Sequence, residues 1–521
     1  MDELESSLHL YQPPLYRGAG GEWRKSFIEA VGDCDNKLTW DCAAMLGILG
    51  FTYTCGDRTL VNEVKRRPWL SSIGPDNEPL LEKIPSHGRL WEPTSRIAEN
   101  LCNLLCNEAL EVCSGKNEIY LLLSGGLDSR VVAGILARLY NGGELATKPT
   151  CVTWGLENSR DVVYGRLVAR ILGFEWQHVD MSHEDVIYNI EEMSTAIGAL
   201  VSPIHLHAMH WFKNVSKGSL VLSGSYGDSV GRAEYSGRHL LELDYLRPVN
   251  PFGIIRKEIL ESAYNNLIND LKELHDRTPG QPKYVYCEHE MQGHYMRNMI
   301  SHAMSLIGRY CPIYQMFTHP NVYSYMWSLH PALRNDQIYG ELLEKLNLQL
   351  ARIPWARTNR ALRGETVGAK SHLRRDFHKY KLWVGGLLLG ELRRYFAPEW
   401  FAETGIFNPD KIKTLSKQAY VQGEILIILM WLAAFRQMAE YLESLGKSVK
   451  LDEGTIGNTR KLSCRASGMN GEFIKRILHN FVFLYNLVNH WRKLFRSIRR
   501  FVVKRRAIRE YPPVKVINEE K

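Results

Sequence analysis

A stretch in the first third of the chain has the residue types of an anion-binding turn. Residues 121–129 read LLLSGGLDS. An apolar run of strand type ends at Ser124, two glycines follow, and apolar residues at helical spacing begin after Arg130. Because Gly125 and Gly126 lack a Cβ, the backbone can turn tightly and point its N–H groups at an oxyanion, next to the positive end of a helix dipole. The sequence therefore predicts a strand, a phosphate-binding turn and a helix.

The side chains of this turn add hydroxyl donors and one carboxylate. Ser124 and Ser129 supply the hydroxyl groups. Asp128 cannot donate a hydrogen bond to a phosphate, so we interpret it as a ligand of a Mg²⁺ ion that bridges phosphate oxygens. The stretch lacks the Gly-Lys-Ser/Thr ending of a Walker-type loop, which excludes that class of nucleotide site. The alternative is an ordinary turn between a strand and a helix.

The flanking residues predict the elements that would position this turn. After the first helix, a second strand is predicted at 150–154 and a second helix, capped by Asp161, over 163–172. Strand, helix, strand and helix in succession are typical of an α/β fold with a doubly wound parallel sheet. Because ligands bind at the carboxyl ends of the strands in such sheets, we expect Trp154 to lie beside the phosphate-binding turn.

The pattern SGGLDS at residues 124–129 resembles the pyrophosphate loop of the N-type ATP pyrophosphatases. Its leucine form is most similar to asparagine synthetases and their β-lactam synthetase relatives. Those enzymes split ATP between the α- and β-phosphates and adenylate a carboxylate or carbonyl oxygen. The resemblance implies an adenine nucleotide alpha hydrolase-like sheet and the cofactors ATP and Mg²⁺. It also implies nucleotide contacts from the turn and from the second strand: Leu123, Ser124, Gly125, Gly126, Asp128, Ser129 and Trp154.

Residues 220–229, which read LVLSGSYGDS, resemble a second glycine-containing turn of the same family. The resemblance places Ser223 and Gly224 near the nucleotide and makes Asp228 the second Mg²⁺ ligand. Two carboxylates from neighbouring strand ends would then hold the metal on the leaving pyrophosphate.

This second turn also departs from the family. Ser225 and Ser229 stand where asparagine synthetases have glutamates, so the usual acid-base residue is missing. Tyr226 lies beside the gap, and we interpret it as a candidate proton relay, as a tyrosine is in β-lactam synthetases.

A third departure affects the expected cation. Residues 309–315 resemble a degenerate form of a substrate-recognition segment of the family, and residues 353–359 resemble the segment that brings a catalytic lysine to the phosphates. Position 358 is a threonine. Arg357, or the later Lys370, would then stabilise the adenylation transition state.

Residues 1–93 are interpreted as a truncated remnant of a glutaminase half. The part from 38 to 93 resembles the end of the glutaminase half of asparagine synthetases. That glutaminase uses a cysteine whose own free α-amine is its base, and this chain has Asp2 at that place. We therefore expect the nitrogen to come from free ammonia, from a separate glutaminase, or from an amine of the substrate.

Length and composition fit a globular protein of several domains. The 521 residues are 45% hydrophobic, which provides ample core. We predict an ATP-pyrophosphatase domain over 94–375, a helical part over 376–470 and a basic amphipathic tail over 471–521. The ten cysteines show no CxxC pair, no run of 18 apolar residues occurs, and the first residues are acidic, so we expect a cytoplasmic protein with reduced thiols.

Two other features suggest partners less directly. Much of the net charge of +8 lies in the tail, which could bind an anionic membrane surface or a protein, or could pack on its own domain. We expect no nucleic-acid partner. His205, His207 and His210 are close in sequence, but no cysteine or paired carboxylate completes a metal site, so helix packing is favoured.

The favoured function is an ATP-dependent amide-forming ligase, which adenylates a small-molecule carboxylate and lets ammonia or an amine displace AMP. One alternative is an amide-forming tailoring enzyme of glycan or peptide biosynthesis. The other is a non-catalytic nucleotide-binding homologue, in which the lost glutamates and lysine have removed turnover.

Overall fold

A five-stranded parallel sheet lies at the centre of the computed structural model, which describes residues 8–233, 246, 249–417, 424–452, 508–509 and 511–515. Its strands are β1 (Ile119–Leu122), β2 (Thr150–Trp154), β3 (Glu175–Val179), β4 (Leu220–Ser223) and β5 (Ile313–Gln315). Their order in the sheet is β3-β2-β1-β4-β5. The chain runs outward from β1 to β3 and then returns to the other side of β1. This order places a topological switch point between β1 and β4, where α/β sheets bind ligands.

Both faces of the sheet are covered, as in a doubly wound fold. Leu121 of β1 and Leu222 of β4 belong to one buried hydrophobic cluster, whereas Leu122 and Val221 belong to the other. Successive residues of a strand point to opposite faces, so strands buried on both faces read as continuous apolar runs. The predicted α/β class with a parallel sheet is confirmed.

The structure also contains longer helices. They are α1 (Thr94–Cys113), α2 (Asp128–Asn141), α3 (Arg160–Leu172), α4 (Lys257–Asp276), α5 (Pro320–Ser328), α6 (Asp336–Leu346) and α7 (Glu424–Ser444). The start of α3 differs from the prediction, because Ser159 is its cap and accepts the Val162 N–H at 3.3 Å. Asp161 lies instead in the first turn of α3. It is thereby free to point at the turn that follows β1.

Residues 8–93 form short elements that pack against the rest of the chain. Phe27 and Leu46 share one buried cluster with Val152 of β2, and the strand Lys37–Thr39 pairs in parallel with Ser448–Lys450. The other strands here are Tyr16–Arg17, Lys65–Arg66, Ser71–Ile73, Pro79–Leu81 and Leu90–Trp91, and the helices are Phe27–Gly32 and Cys42–Phe51. Leu90–Trp91 pairs with Val514–Lys515.

The remaining elements are short helices. They are Glu184–Tyr188, Asn189–Met193, Ser194–Ala196, Pro203–His205, Met209–Asn214, Gly227–Gly231, Pro251–Gly253, Lys283–Glu290, Met291–Ile300, Ser301–Met304, Ile307–Arg309, Leu348–Arg352, Tyr380–Leu382, Trp383–Leu387, Leu389–Leu392, Arg393–Phe396, Pro398–Glu403 and Pro409–Ser416. Within α7, residues 425–444 are apolar enough to cross a membrane by length and composition, but 61% of that window is buried inside the protein. That burial is typical of a core helix.

Most of the predicted basic tail lies outside the described residues. The nine cysteines that the structure describes are buried and form no disulfide.

Candidate active site

A cavity of about 350 Å³ opens at the carboxyl ends of β1, β2 and β4. The turn after β1 contributes Leu123, Ser124, Gly126, Asp128 and Ser129, the end of β2 contributes Trp154, and the end of β4 contributes Ser223 and Gly224. Other lining residues include Asp161, His205, His207, Met209, Ser225, Met299, Ala303, Met304 and Phe377. Most of the predicted nucleotide contacts therefore surround one cavity, at the switch point of the sheet.

Hydrogen bonds within the turn after β1 fix its shape. Ser124 Oγ accepts the Gly126 N–H at 3.1 Å, and Ser129 Oγ accepts the Ser124 N–H at 3.1 Å. A Cβ on Gly125 would lie 2.8 Å from the Ala356 Cβ and 2.9 Å from the Arg160 carbonyl oxygen. Gly125 is thus required by close packing against two other segments. Neither Gly125 nor Gly126 has a positive φ, so close packing explains the glycine at position 125, and not the backbone freedom predicted from sequence.

A buried arginine ties this turn to the segment 350–356. Arg130 donates to four carbonyl oxygens, those of Gly125 (3.1 Å), Leu350 (3.2 Å), Ile353 (2.8 Å) and Pro354 (2.9 Å). Burial lowers the pKa of Arg130 to about 10, so its guanidinium is charged at neutral pH. Sequence analysis missed this role. The available signal was a charged residue within an otherwise apolar helical stretch.

Asp161 supplies a second carboxylate next to the turn. Its Oδ1 accepts the Gly125 N–H at 3.2 Å, and the residue lines the cavity. Burial raises the pKa of Asp161 to about 6, and the Gly125 hydrogen bond opposes that shift. The N–H groups of Ser124, Gly125 and Gly126 are therefore already used within the protein.

Arg232 holds the predicted metal ligand Asp128 in a two-pronged ion pair. Its Nε and Nη2 each lie 3.0 Å from one oxygen of Asp128, and its Nη1 lies 3.0 Å from Asp336 Oδ1. The guanidinium carbon is 5.7 Å from the centre of the Tyr339 ring and 5.2 Å from that of Trp355. Arg232 is buried, and planar, doubly hydrogen-bonded guanidinium–carboxylate pairs are the strong ones. Sequence analysis did not identify Arg232.

Asp228 lies close to this pair. Asp228 does not itself line the cavity, but a Cβ on the preceding Gly227 would lie 2.8 Å from Asp128 Oδ1. Burial and the charge of Asp128 raise the pKa of Asp228, while Arg232 opposes the shift. Asp228 Oδ1 is buried and has no hydrogen-bond partner within the described part of the chain. Two adjacent carboxylates, one with an unpartnered buried oxygen, fit the oxygen ligands that Mg²⁺ prefers.

The structure does not bring the two predicted catalytic residues to the cavity. The Tyr226 hydroxyl lies 2.7 Å from Ser301 Oγ, and its ring lines a separate small pocket with Arg66 and Arg297. Burial raises the pKa of Tyr226 far above neutrality. Arg357 is exposed, and its guanidinium carbon lies 5.3 Å from the centre of the Trp355 ring. The geometry supports neither predicted role, because neither side chain lines the cavity.

Lys370, the other predicted cation, is exposed and does not line the cavity either. The cation beside Asp128 in the described structure is Arg232.

The three histidines of the cluster lie in two different environments. His210 Nε2 lies 3.4 Å from Asp185 Oδ1, whereas His205 and His207 line the cavity. His205 and His207 therefore contribute to the cavity wall, a position that the predicted packing role did not include. Burial lowers the pKa of His205 to about 4 and that of His207 to about 3, so both rings are neutral at pH 7. The His207 ring stacks on Trp154 at a centroid distance of 6.0 Å.

Comparisons with known proteins agree with the sequence resemblance. Residues 109–299 match the family model of asparagine synthase. A curated relative, the asparagine synthetase (glutamine-hydrolyzing) of Gallus gallus, is 30% identical over 105 residues. That match covers 20% of this chain and 18% of the relative. The resemblance predicted from the turn after β1 is confirmed for this part of the chain.

A solved structure, the NH3-dependent NAD synthetase of Campylobacter jejuni, covers 37% of this chain and 99% of its own. It is 14% identical, with a TM-score of 0.22. The parallel sheet and its switch point rest on the strand order of this chain itself.

Proposed function

We propose that this chain, whose residues 109–299 match the asparagine synthase family model, is an ATP-dependent amide-forming ligase. One observation carries the proposal. The turn after β1, Trp154 at the end of β2, and Ser223 and Gly224 at the end of β4 all line one cavity at the switch point of the sheet. In α/β sheets that place binds nucleotides.

The parts of the cavity offer different chemistry. The turn 124–129 and the start of α2 favour the phosphates, because the positive end of the α2 dipole lies there. The N–H groups of Ser124, Gly125 and Gly126 would have to leave their side-chain acceptors to bind an anion. Trp154 and the neutral His207 form an aromatic wall that suits a purine ring. We assign Asp128 and Asp228 to a Mg²⁺ ion, which when bound neutralises charge on the phosphates.

The ion pair with Arg232 affects how Asp128 and Asp228 can bind a metal ion. Its bidentate pair with Asp128 has to open or shift before Asp128 coordinates a cation through both oxygens. Arg232 does not line the cavity, so its guanidinium would have to move toward the phosphates as this pair opens. There it could stabilise the charge that develops on the leaving pyrophosphate, a role that sequence analysis gave to Arg357 or Lys370.

The same ion pair favours the second candidate function, a non-catalytic nucleotide-binding homologue. A guanidinium that permanently occupies Asp128 would take one of the two carboxylates that we assign to the metal. An amide-forming tailoring enzyme of glycan or peptide biosynthesis differs from the first proposal only in its acceptor. The cytoplasmic location, the separate glutaminase and a membrane or protein partner for the tail stay predictions.

The test is an acceptor screen with the purified full chain. Mg·ATP is incubated with a panel of carboxylates, including aspartate, and pyrophosphate is measured with ammonium, with glutamine and with neither. Asp128→Asn is the matched control, because it keeps the shape of the side chain and removes its charge. Release that needs one carboxylate, a nitrogen donor and Asp128 supports the ligase. Tight ATP binding with no pyrophosphate from any acceptor supports the non-catalytic homologue.

A further inference from the structure

We propose that His9, Glu111 and His319 form a binding site for a single Zn²⁺ ion, separate from the candidate active site. One ligand atom from each residue can be chosen so that all three lie within 4.8 Å of one another. His319 Nε2 and Glu111 Oε2 are 3.2 Å apart. Tetrahedral ligands at zinc bond lengths of roughly 2.0–2.2 Å are about 3.3–3.5 Å apart. This pair therefore already has coordination spacing, and only His9 needs to approach.

The three ligands come from three segments that the fold holds together. Glu111 lies in the last turn of α1, and His319 directly precedes α5. The backbone on either side of His9 is fixed, since the Leu10 N–H donates to the Thr318 carbonyl at 2.9 Å and the Tyr323 hydroxyl donates to the Leu8 carbonyl at 2.8 Å. His9 is thus placed beside His319 without help from a metal.

The hydrogen bonds around His9 present the correct ring nitrogen. The Tyr314 hydroxyl donates to Glu108 Oε1 at 2.8 Å and lies 2.9 Å from His9 Nδ1. Because the hydroxyl proton is used on Glu108, the His9 Nδ1–H must donate to the tyrosine oxygen, which leaves the Nε2 lone pair unprotonated. Metal-ligating histidines typically donate their other ring N–H in this way, which fixes the tautomer and the ring orientation.

Glu108 anchors this arrangement. It is fully buried and accepts the backbone N–H groups of Phe317, Thr318 and His319 at 3.0–3.1 Å. The same carboxylate therefore orients Tyr314 behind His9 and fixes the backbone of His319. A chain of this kind, from ligand through a hydroxyl to a buried carboxylate, is the outer layer that metal sites require.

Metal binding requires His319 to lose the hydrogen bond that its Nδ1 accepts from the Asn321 N–H. Its Nδ1 accepts the Asn321 N–H at 3.2 Å, so in the metal-free form the proton sits on Nε2 and faces Glu111. When Nε2 binds the ion, the ring proton moves to Nδ1 and the bond from Asn321 is lost. We therefore expect a weaker site than a structural four-cysteine site, with a fourth position open to water beside the exposed Glu111.

The donor set selects the class of metal. Two imidazoles and one carboxylate suit Zn²⁺ and similar transition metals, whereas Mg²⁺ and Ca²⁺ prefer oxygen ligands alone. The site should therefore discriminate against the ion that we assign to Asp128 and Asp228.

Direct metal binding to the untagged full chain tests the proposal, without any assay of turnover. After treatment with a chelator, the protein is titrated with Co²⁺ as a spectroscopic probe and then with Zn²⁺. We expect one equivalent of Co²⁺ to give visible absorption bands that Zn²⁺ abolishes and that Mg²⁺ leaves unchanged. His9→Ala and Glu111→Gln should each weaken binding by about tenfold or more, and Tyr314→Phe by about tenfold.

The control is His372→Ala, which removes an exposed histidine outside the cluster and should leave the titration unchanged. Glu111 is an exposed residue, so Glu111→Gln should fold normally, and circular dichroism checks this. The proposal is overturned if Co²⁺ binding does not saturate, or if His9→Ala and Glu111→Gln bind it as tightly as the original chain.

Discussion

Asp128 and Arg232 face each other through two hydrogen bonds of 3.0 Å, between a carboxylate that lines the cavity and a guanidinium buried behind it. The pair lies where sequence analysis places a metal ion. A third partner, Asp336, balances part of the arginine charge at 3.0 Å. The charge balance of the site therefore depends on a residue just beyond the second glycine-containing turn.

Loss of Arg232 should destabilise the protein. Arg232→Ala leaves Asp128 and the buried Asp228 without their shared cation, and removing one partner of a buried ion pair costs about 3 kcal/mol. Urea unfolding in the absence of nucleotide and Mg²⁺ measures the change. Arg232→Lys should recover only part of it, because an ammonium cannot form the two-pronged contact. A loss below about 1 kcal/mol for Arg232→Ala would show that the pair is not a structural element.

Loss of Arg130 should loosen the turn after β1. Arg130→Met keeps a side chain of similar length but leaves four buried carbonyl oxygens without their donor, which costs about 3 kcal/mol or more. We expect lower unfolding free energy and weaker ATP binding by calorimetry. Arg170→Met, which changes an exposed arginine of α3, is the matched control and should alter neither. Equal effects of the two variants would contradict this account.

Gly125→Ala should reduce ATP affinity sharply. The added methyl group would meet the Ala356 Cβ at 2.8 Å and the Arg160 carbonyl oxygen at 2.9 Å, so the turn has to shift. Gly32→Ala meets no atom within 4 Å and serves as the control. We expect at least about tenfold weaker binding for Gly125→Ala, which corresponds to about 1.4 kcal/mol. Unchanged affinity would mean that the turn does not hold the phosphates.

Asp161 should make stability depend on pH. Burial raises its folded-state pKa to about 6, from 3.8, so its neutral form is favoured in the folded protein. The stability it contributes is present below the unfolded pKa and is lost as pH rises through about 6. Asp161→Asn, whose amide oxygen can still accept the Gly125 N–H, should be more stable than the original chain by about 2 kcal/mol at pH 7.5. Near pH 4 the difference should shrink, and a constant difference between the two pH values would refute the assignment.

Tyr226→Phe distinguishes a structural role of the Tyr226 hydroxyl from a role as a proton relay. The Tyr226 hydroxyl binds Ser301 Oγ outside the cavity, so we expect turnover of ATP to change by less than about threefold. A proton relay would instead be worth about 100-fold in rate. A drop of that size in kcat, with KM and the unfolding transition unchanged, would restore the role predicted from sequence.

The residues that line the cavity at the strand ends could be predicted from the sequence. Ser124 to Ser129, Trp154, Ser223 and Gly224 sit at strand ends, and the parallel sheet brings those ends together. The contacts of Arg130, Arg232 and Asp161 could not be predicted, because all but one of their partners lie 36 to 224 residues away along the chain. The direction of the Tyr226 side chain could not be predicted either, because a turn residue next to the site can point away from the cavity.

The family resemblance indicated the residues at the strand ends but not the ion pair beside them. It implied roles for glutamates and a lysine that this chain lacks, and it offered no counterpart of Arg232. Helix packing was favoured over metal binding for the histidines, and the sequence did not show that His207 contributes a neutral aromatic face beside Trp154.

The products formed from ATP test the central claim most directly. The full chain is incubated with Mg²⁺ and ATP labelled at the α-phosphate, together with the acceptor panel and ammonium, and the labelled nucleotides are separated. We predict labelled AMP in amounts equal to pyrophosphate, abolished by Asp128→Asn. Labelled ADP as the product, or AMP that persists in Asp128→Asn, would contradict the assignment of this cavity as a site of adenylation.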